Sequence, residues 1–296
     1  MKLQDPITIV AASDNHYAIL LAALIKSVEV NHQTSEKIDF HIIDDGISAK
    51  NRQKIQASTD PSLISLHWHP SKSVVPEDVK LPVDHTAFPL TTYLRLFGPY
   101  VVPPEVKRII YLDVDMIVKA DISGLYHTDI GNNIFGAVQD VGKIVSCSWG
   151  GVPNWKELGM QPDWKYFNAG LLLINTEEWR KKDITRKVLQ AMYDNMAHVN
   201  YADQYGMNVV LVEKWVELDP RWNWFANDYC EDPFLIHFLD IKPIFKSYKS
   251  QEVFKQEFYK YLELTAWKGH KPVSGYKRLF RKAVNKLKKR ASKLLT

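Results

Sequence analysis

Residues 109–118 read IIYLDVDMIV, an apolar run interrupted by two carboxylates, Asp113 and Asp115, one residue apart. Read as one strand, positions i and i+2 share a face, so both aspartates project one way while Val114 projects the other. Two like charges so placed repel. Burying an unpaired ion costs roughly several kcal/mol, which makes a cation between the two carboxylates the natural compensator. Hard oxygen ligands suit Mg²⁺ or Mn²⁺, both of which keep positions open for water and substrate phosphates. A second reading ends the strand at Leu112 and puts the pair in a solvated turn, bonded to backbone N–H groups. The D-x-D spacing alone does not choose between them.

The flanking sequence supplies the context. ITIVAA (7–12) is a short apolar run that stops at Ser13-Asp14-Asn15, followed by apolar positions at helical spacing through Ile19, Leu20, Ala23, Leu24 and Val28. KIDFHIID (37–44) and SLISLHWH (62–69) read as further strands with a helix over 48–58 between them. NIFGAVQD (133–140) and AGLLLINT (169–176) read as later strands, and TEEWRKKDITRKVLQAMYDN (176–195) as one helix. Strands alternating with helices predict an α/β fold with a mainly parallel sheet. In such sheets ligands sit at the carboxyl ends of the strands, where both Asp14 and the aspartate pair would fall.

Composition narrows the class without naming it. With 46% hydrophobic and 24% charged residues among 296, the chain is an ordinary globular one with a sizeable core. The net charge of +4 conceals an asymmetry, because Glu263 is the last acid and 11 of the 38 Lys and Arg follow it. An acidic body with a cationic tail argues against nucleic-acid binding and for contact with an anionic surface at one end. Cys147 and Cys230 are too few for a disulfide framework or zinc cluster, and a reducing compartment is the simpler reading. The N-terminus lacks a signal-peptide pattern and AILLAALI (18–25) is too short to span a bilayer, so the expected location is cytoplasmic.

Six stretches in order carry a resemblance. AASDNHYA (11–18), FHIIDDGIS (40–48), TTYLRLFGPYVVP (91–103) with RIIYLDVDMIV (108–118), YFNAGLLLIN (166–175), ADQYGMN (202–208) and IHFLDIKP (236–243) are similar to the motifs of the retaining nucleotide-sugar glycosyltransferases of family 8. Within that family, the nearest likeness is to bacterial lipooligosaccharide and lipopolysaccharide α-galactosyl- and glucosyltransferases. The resemblance implies a GT-A fold, a Rossmann-like nucleotide-binding sheet over residues 1–262, and transfer of galactose or glucose from UDP to a terminal sugar of a lipopolysaccharide-type glycan. It implies that Asp113, Asp115 and His237 hold Mn²⁺, with Mg²⁺ as the alternative. It further places Ala12, Asp14, Tyr17, Arg95, Val114, Asn168, Ala169, Gly170 and Lys242 around the UDP-sugar. Tyr17 stacks on the uracil in that picture, and Lys242 meets the diphosphate as a second cation. Asp203 would bond the donor sugar, Gln204 would lie on the sugar face opposite the leaving group, and Asp140 would stand on the acceptor side.

Two departures from the family pattern stand out. Asp203-Gln204-Tyr205 replaces the usual D-Q-D, which removes one candidate nucleophile. His237 and Lys242 are five residues apart rather than six, with Ile244 in place of a Trp. These departures are the support for an alternative reading as a catalytically weak or inactive UDP-sugar-binding protein at the membrane. A haloacid-dehalogenase-type phosphatase also places D-x-D after an apolar strand, but there the pair opens the domain, whereas here it lies beyond residue 110.

Residues 263–296 form a basic tail. If 275–296 is helical, Leu279, Phe280, Ala283, Val284, Leu287, Ala291, Leu294 and Leu295 line one face and lysines and arginines line the rest. That pattern predicts a helix lying on an anionic leaflet, a peripheral location on the inner face of the membrane.

Overall fold

The computed structural model describes residues 5–276 and Val284. The chain opens with β1 (Ile7–Asp14), α1 (Ala18–Asn31), β2 (Ile38–Asp45), α2 (Ala49–Ala57) and β3 (Ile64–Pro70). The short α3 (Ser71–Val74) and α4 (Gly98–Val101) precede β4 (Arg108–Leu112), β5 (Met116–Val118) and α5 (Ile122–Tyr126). Next come β6 (Phe135–Ile144), β7 (Lys165–Asn175), α6 (Thr176–Lys181), α7 (Ile184–Asp194) and α8 (Asp203–Leu211). β8 (Trp215–Glu217), β9 (Trp224–Phe225), β10 (Leu235–His237) and α9 (Glu252–Leu262) complete the described elements.

Seven strands form the central sheet in the order β3-β2-β1-β4-β7-β6-β8. β3, β2, β1 and β4 run parallel, β7 is antiparallel to both β4 and β6, and β8 runs parallel to β6. The sheet is therefore mixed and mainly parallel, as the strand–helix alternation predicts. β1 is buried along nearly its whole length, which is why ITIVAA reads as a continuous apolar run rather than an alternating one. α1 is buried on almost every turn, enclosed by the sheet and by α9.

The opening stretch is not one strand. β4 ends at Leu112 inside the seven-stranded sheet, Asp113–Asp115 turn, and β5 joins a separate three-stranded sheet of order β5-β10-β9. Both ends of the turn are held by backbone pairing: Asp113 N donates to Gly170 O at 2.8 Å and Phe238 N to Asp115 O at 2.9 Å. The two aspartates thus share a crossover between sheets, and the face-sharing argument for a single strand does not apply. The expected helix over 176–195 is also two helices, α6 and α7, broken at Asp183, whose φ of 49° is left-handed.

Beyond α9 the chain returns to the body. Val273 N donates to Ile244 O at 2.8 Å, and Trp267 packs on the core with Lys54 over its ring at 4.6 Å. The amphipathic helix expected over 275–296 lies, apart from Gly275, Tyr276 and Val284, outside the described residues.

Candidate active site

His237 reaches the aspartates through strand register. β10 runs antiparallel to β5 with His237 opposite Met116, so the imidazole arrives beside Asp115 although some 120 residues separate them. One ligand atom from each of Asp113, Asp115 and His237 lies within 4.8 Å of the others. His237 Nδ1 donates to Asn223 Oδ1 at 2.9 Å, which fixes the tautomer and leaves Nε2 as a lone-pair donor, 3.4 Å from Asp115 Oδ1. Asp115 Oδ1 is buried without a hydrogen-bond partner. Two lone-pair atoms facing each other in a buried place, with Asp113 alongside, fit a divalent cation with oxygen and imidazole donors.

The surrounding charges set the two carboxyls apart. Burial works against ionisation of Asp115, but the Lys242 ammonium 2.5 Å from Oδ2, together with His237, holds its pKa well below the usual carboxylate range. Burial dominates at Asp113 and pushes its pKa up, against the pull of Arg95 at 3.4 Å. Tyr111 donates its hydroxyl to Asp113 Oδ1 at 3.1 Å. Gly170 stands where no side chain fits, since a Cβ there would lie 2.5 Å from His237 Cε1 and 2.9 Å from Asn168 Oδ1.

A chain of amides and carboxylates continues from the histidine. Asn223 Nδ2 donates to Asn168 Oδ1 at 3.0 Å, and Asn168 Nδ2 donates to Asp140 Oδ2 at 2.6 Å. Gln204 Nε2 donates to the same Asp140 oxygen at 3.2 Å, while Gln204 Oε1 accepts from Ala169 N at 2.9 Å. Each of these side chains is fixed by more than one contact, which locks its rotamer and its amide orientation. Arg95 closes the network: Nη1 donates to Ala169 O at 2.6 Å, and Nε lies 2.8 Å from Asp203 Oδ2. That last contact is off the N–H direction, an ion pair rather than a hydrogen bond, so both Asp203 oxygens are buried without a hydrogen-bond donor.

These groups border a cavity of about 870 Å³. Every residue expected at the site lines it except Ala169 and Asp203, which are buried behind it. Asp14 Oδ1 accepts from His16 N at 2.9 Å and Tyr17 N at 3.1 Å, shaping the turn that brings Tyr17 to the wall. Lys242 lines the cavity too, with Nζ on Asp115 and on the carbonyls of Phe238 and Leu239 at 2.5 and 2.8 Å. Tyr205 does not line it. The ring is fully buried on another side of α8, and its hydroxyl donates to Asn154 Oδ1 at 2.7 Å. The change at position 205 therefore takes nothing from the cavity wall, which corrects its reading as a lost nucleophile. Sequence reasoning missed Tyr111, which lies inside the stretch 108–118 but reads there as one more apolar strand residue, and Asn223, which lies outside every quoted stretch and whose polar character inside the aromatic run WNWF was its one available signal.

Comparison with known proteins agrees with this architecture. The model of glycosyl transferase family 8 matches residues 8–272. General stress protein A of Bacillus subtilis is 26% identical over 288 residues, 90% of this chain and 96% of that one. Lipopolysaccharide 1,2-glucosyltransferase of Escherichia coli K12 is 29% identical over 119 residues, 40% of this chain and 34% of that one. The crystal structure of the galactosyltransferase LgtC with donor and acceptor sugar analogues has a TM-score of 0.70 at 25% identity, covering 88% of this chain and 96% of that one. A match that spans both sheets and the Asp113, Asp115 and His237 side chains leaves one conclusion: this chain, a glycosyltransferase of GT-A fold related to lipopolysaccharide glycosyltransferases, belongs to glycosyl transferase family 8.

Proposed function

We propose that the protein transfers galactose or glucose from a UDP-sugar to a terminal sugar of a lipopolysaccharide-type glycan, with retention, to form an α-linkage. The observation that carries this reading is the Asp113–Asp115–His237 group on the wall of a nucleotide-sugar-sized cavity, with the Asn168–Asp140–Gln204 network beside it. Asp113, Asp115 and His237 would hold Mn²⁺ in preference to Mg²⁺, because imidazole suits the softer ion. When bound, the ion supplies Lewis acidity to the departing diphosphate. Ala12, Asp14, Tyr17 and Val114 line the nucleotide end, with Tyr17 offering its ring to the uracil. Arg95 and Lys242 present cations to the phosphates, Lys242 once released from Asp115. Asn168 and Gly170 border the donor sugar, and Ala169 acts through its backbone, which holds both Arg95 and Gln204. Gln204 would stand on the sugar face opposite the diphosphate, and Asp140 on the acceptor side. Asp203, buried behind Arg95, acts by holding that guanidinium rather than by touching the sugar.

UDP release tests the reading. With Mn²⁺ and either UDP-galactose or UDP-glucose, the purified protein should release UDP, faster when a sugar acceptor is added, and the product should show an α-anomeric linkage. No release with either donor, with or without acceptors, counts against the transferase reading.

For the location, we propose peripheral attachment to the inner, anionic membrane surface through residues 275–296, with the body in the cytoplasm. Among the described residues no helix is long and apolar enough to cross a membrane. Nine Lys and Arg between 277 and 293, at about 1 kcal/mol each near such a surface, suffice for reversible attachment. Co-sedimentation with phosphatidylserine vesicles should be lost on deleting residues 275–296, and retained binding would remove this assignment.

A further inference from the structure

The cavity has a second aromatic group that the nucleotide reading does not use. His16, Tyr17 and Phe245 form one set, with ring centroids of His16 to Tyr17 at 5.0 Å and to Phe245 at 6.1 Å. Phe88, Trp149 and Tyr201 form another, with Phe88 and Tyr201 6.3 Å apart and tilted by 51°. In this second set Trp149 is 60% exposed and Phe88 39%. Large apolar rings left in water together at a cavity edge mark a ligand surface, because each would otherwise gain from burial.

The loop that presents Trp149 is built, not loose. Val152 N donates to Val145 O and Gly151 N to Cys147 O, both at 2.8 Å, and Asn200 Nδ2 caps Gly151 O at 2.8 Å. A Cβ on Gly151 would run into the Val145 carbonyl, so the turn requires glycine. Tyr201 donates its hydroxyl to Trp149 O at 3.2 Å, which ties the two rings' segments together. On the polar side stands Asp140. Its Oδ2 is taken by Asn168 and Gln204, whereas Oδ1 accepts only a 3.3 Å bond from Gly142 N and keeps acceptor capacity.

One cavity wall that carries both flat apolar rings and a carboxylate oxygen with spare acceptor capacity suits a pyranose, which has a C–H face and a rim of hydroxyls. We infer that Trp149, with Phe88 and Tyr201, forms a stacking platform for a hexopyranose ring of the acceptor glycan, oriented by Asp140. The identity of the ligand rests on the transferase reading; the platform rests on the rings. Trp149 is a binding residue here and takes no part in the chemistry at the donor.

Saturation-transfer difference NMR tests it with lactose, cellobiose and maltose as probes, and with UDP plus Mn²⁺ as a separate arm. In wild type, the protons of one face of a hexose ring should receive the strongest saturation from at least one disaccharide. Trp149→Ala should lower that signal at least fivefold, Trp149→Tyr should restore part of it, and both variants should unfold at the wild-type temperature. No disaccharide signal in wild type, or a signal undiminished in Trp149→Ala, overturns the platform. UDP that fails to bind while a disaccharide does so through Trp149 sinks the donor reading and leaves the platform standing.

Discussion

The Asp113→Asn/Asp115→Asn protein is expected to lose sugar transfer by roughly a thousandfold or more, and to lose Mn²⁺ binding with it. Stabilising the charge that develops on a leaving diphosphate is worth several kcal/mol, and about 4 kcal/mol corresponds to that factor. The geometry says why neither aspartate can be replaced by a neighbour. Asp113 sits on the last pairing of the large sheet and Asp115 on the first pairing of the small one, so their positions are set by two different sheets. No other described carboxylate or imidazole completes a group of three within reach. The histidine's own support gives a smaller, separable effect. Asn223→Ala leaves the ligands intact but frees His237 Nδ1, and losing such an orienting partner typically lowers metal affinity ten- to a hundredfold. Electron paramagnetic resonance of free Mn²⁺ reads both variants without turnover. A double variant that kept wild-type Mn²⁺ affinity and activity would remove Asp113 and Asp115 from the site.

The stretch IIYLDVDMIV shows what sequence reading reaches and where it stops. Its apolar character is the same on both sides of the aspartates, so periodicity cannot tell one ten-residue strand from two strands in different sheets. Only the pairing of Met116 with His237 separates them, and that is a contact between residues far apart in the chain. Local signals did better. The parallel half of the sheet was legible because strands buried on both faces are continuous apolar runs, and Asp14 was legible because a polar turn follows one of them. Tyr205 was misread because its position beside Gln204 in sequence says nothing about direction: successive residues at the start of α8 point to different sides, one to the cavity and the other to the core. Asn223 was missed for the opposite reason. Its role lies wholly in tertiary bonds, to His237 and Asn168, and leaves no spacing to read.

The largest effect on stability is expected from Arg95→Met. Arg95 is buried between Asp113 and Asp203, and Asp203 is fully buried with no hydrogen-bond donor of its own, so the guanidinium is its chief compensation. Removing one partner of such a pair costs about 3–5 kcal/mol, on the order of 10 °C in Tm for a chain of this size. The deficit should depend on pH, with a sign that follows from Asp203. Burial raises its pKa to about 7, with Arg95 pulling down and the charge of Asp113 pushing up. A carboxyl whose pKa is higher folded than unfolded favours the native state below the unfolded value, near pH 4, and that advantage disappears as pH rises through 7. In Arg95→Met the folded pKa moves higher still. At pH 5 Asp203 carries its proton in both proteins; at pH 8 the wild type ionises it beside Arg95 while the variant still holds the proton, so the gap widens between the two pH values by up to about 1.4 kcal/mol, one pKa unit's worth. Adding Asp203→Asn removes the carboxylate that Arg95 serves, so the double variant should recover a good part of the loss, a coupling that a double-mutant cycle measures. Urea unfolding of the four proteins at pH 5 and pH 8 tests this, and a deficit of equal size at both pH values, or one untouched by Asp203→Asn, would show that Arg95 stabilises the fold by packing alone.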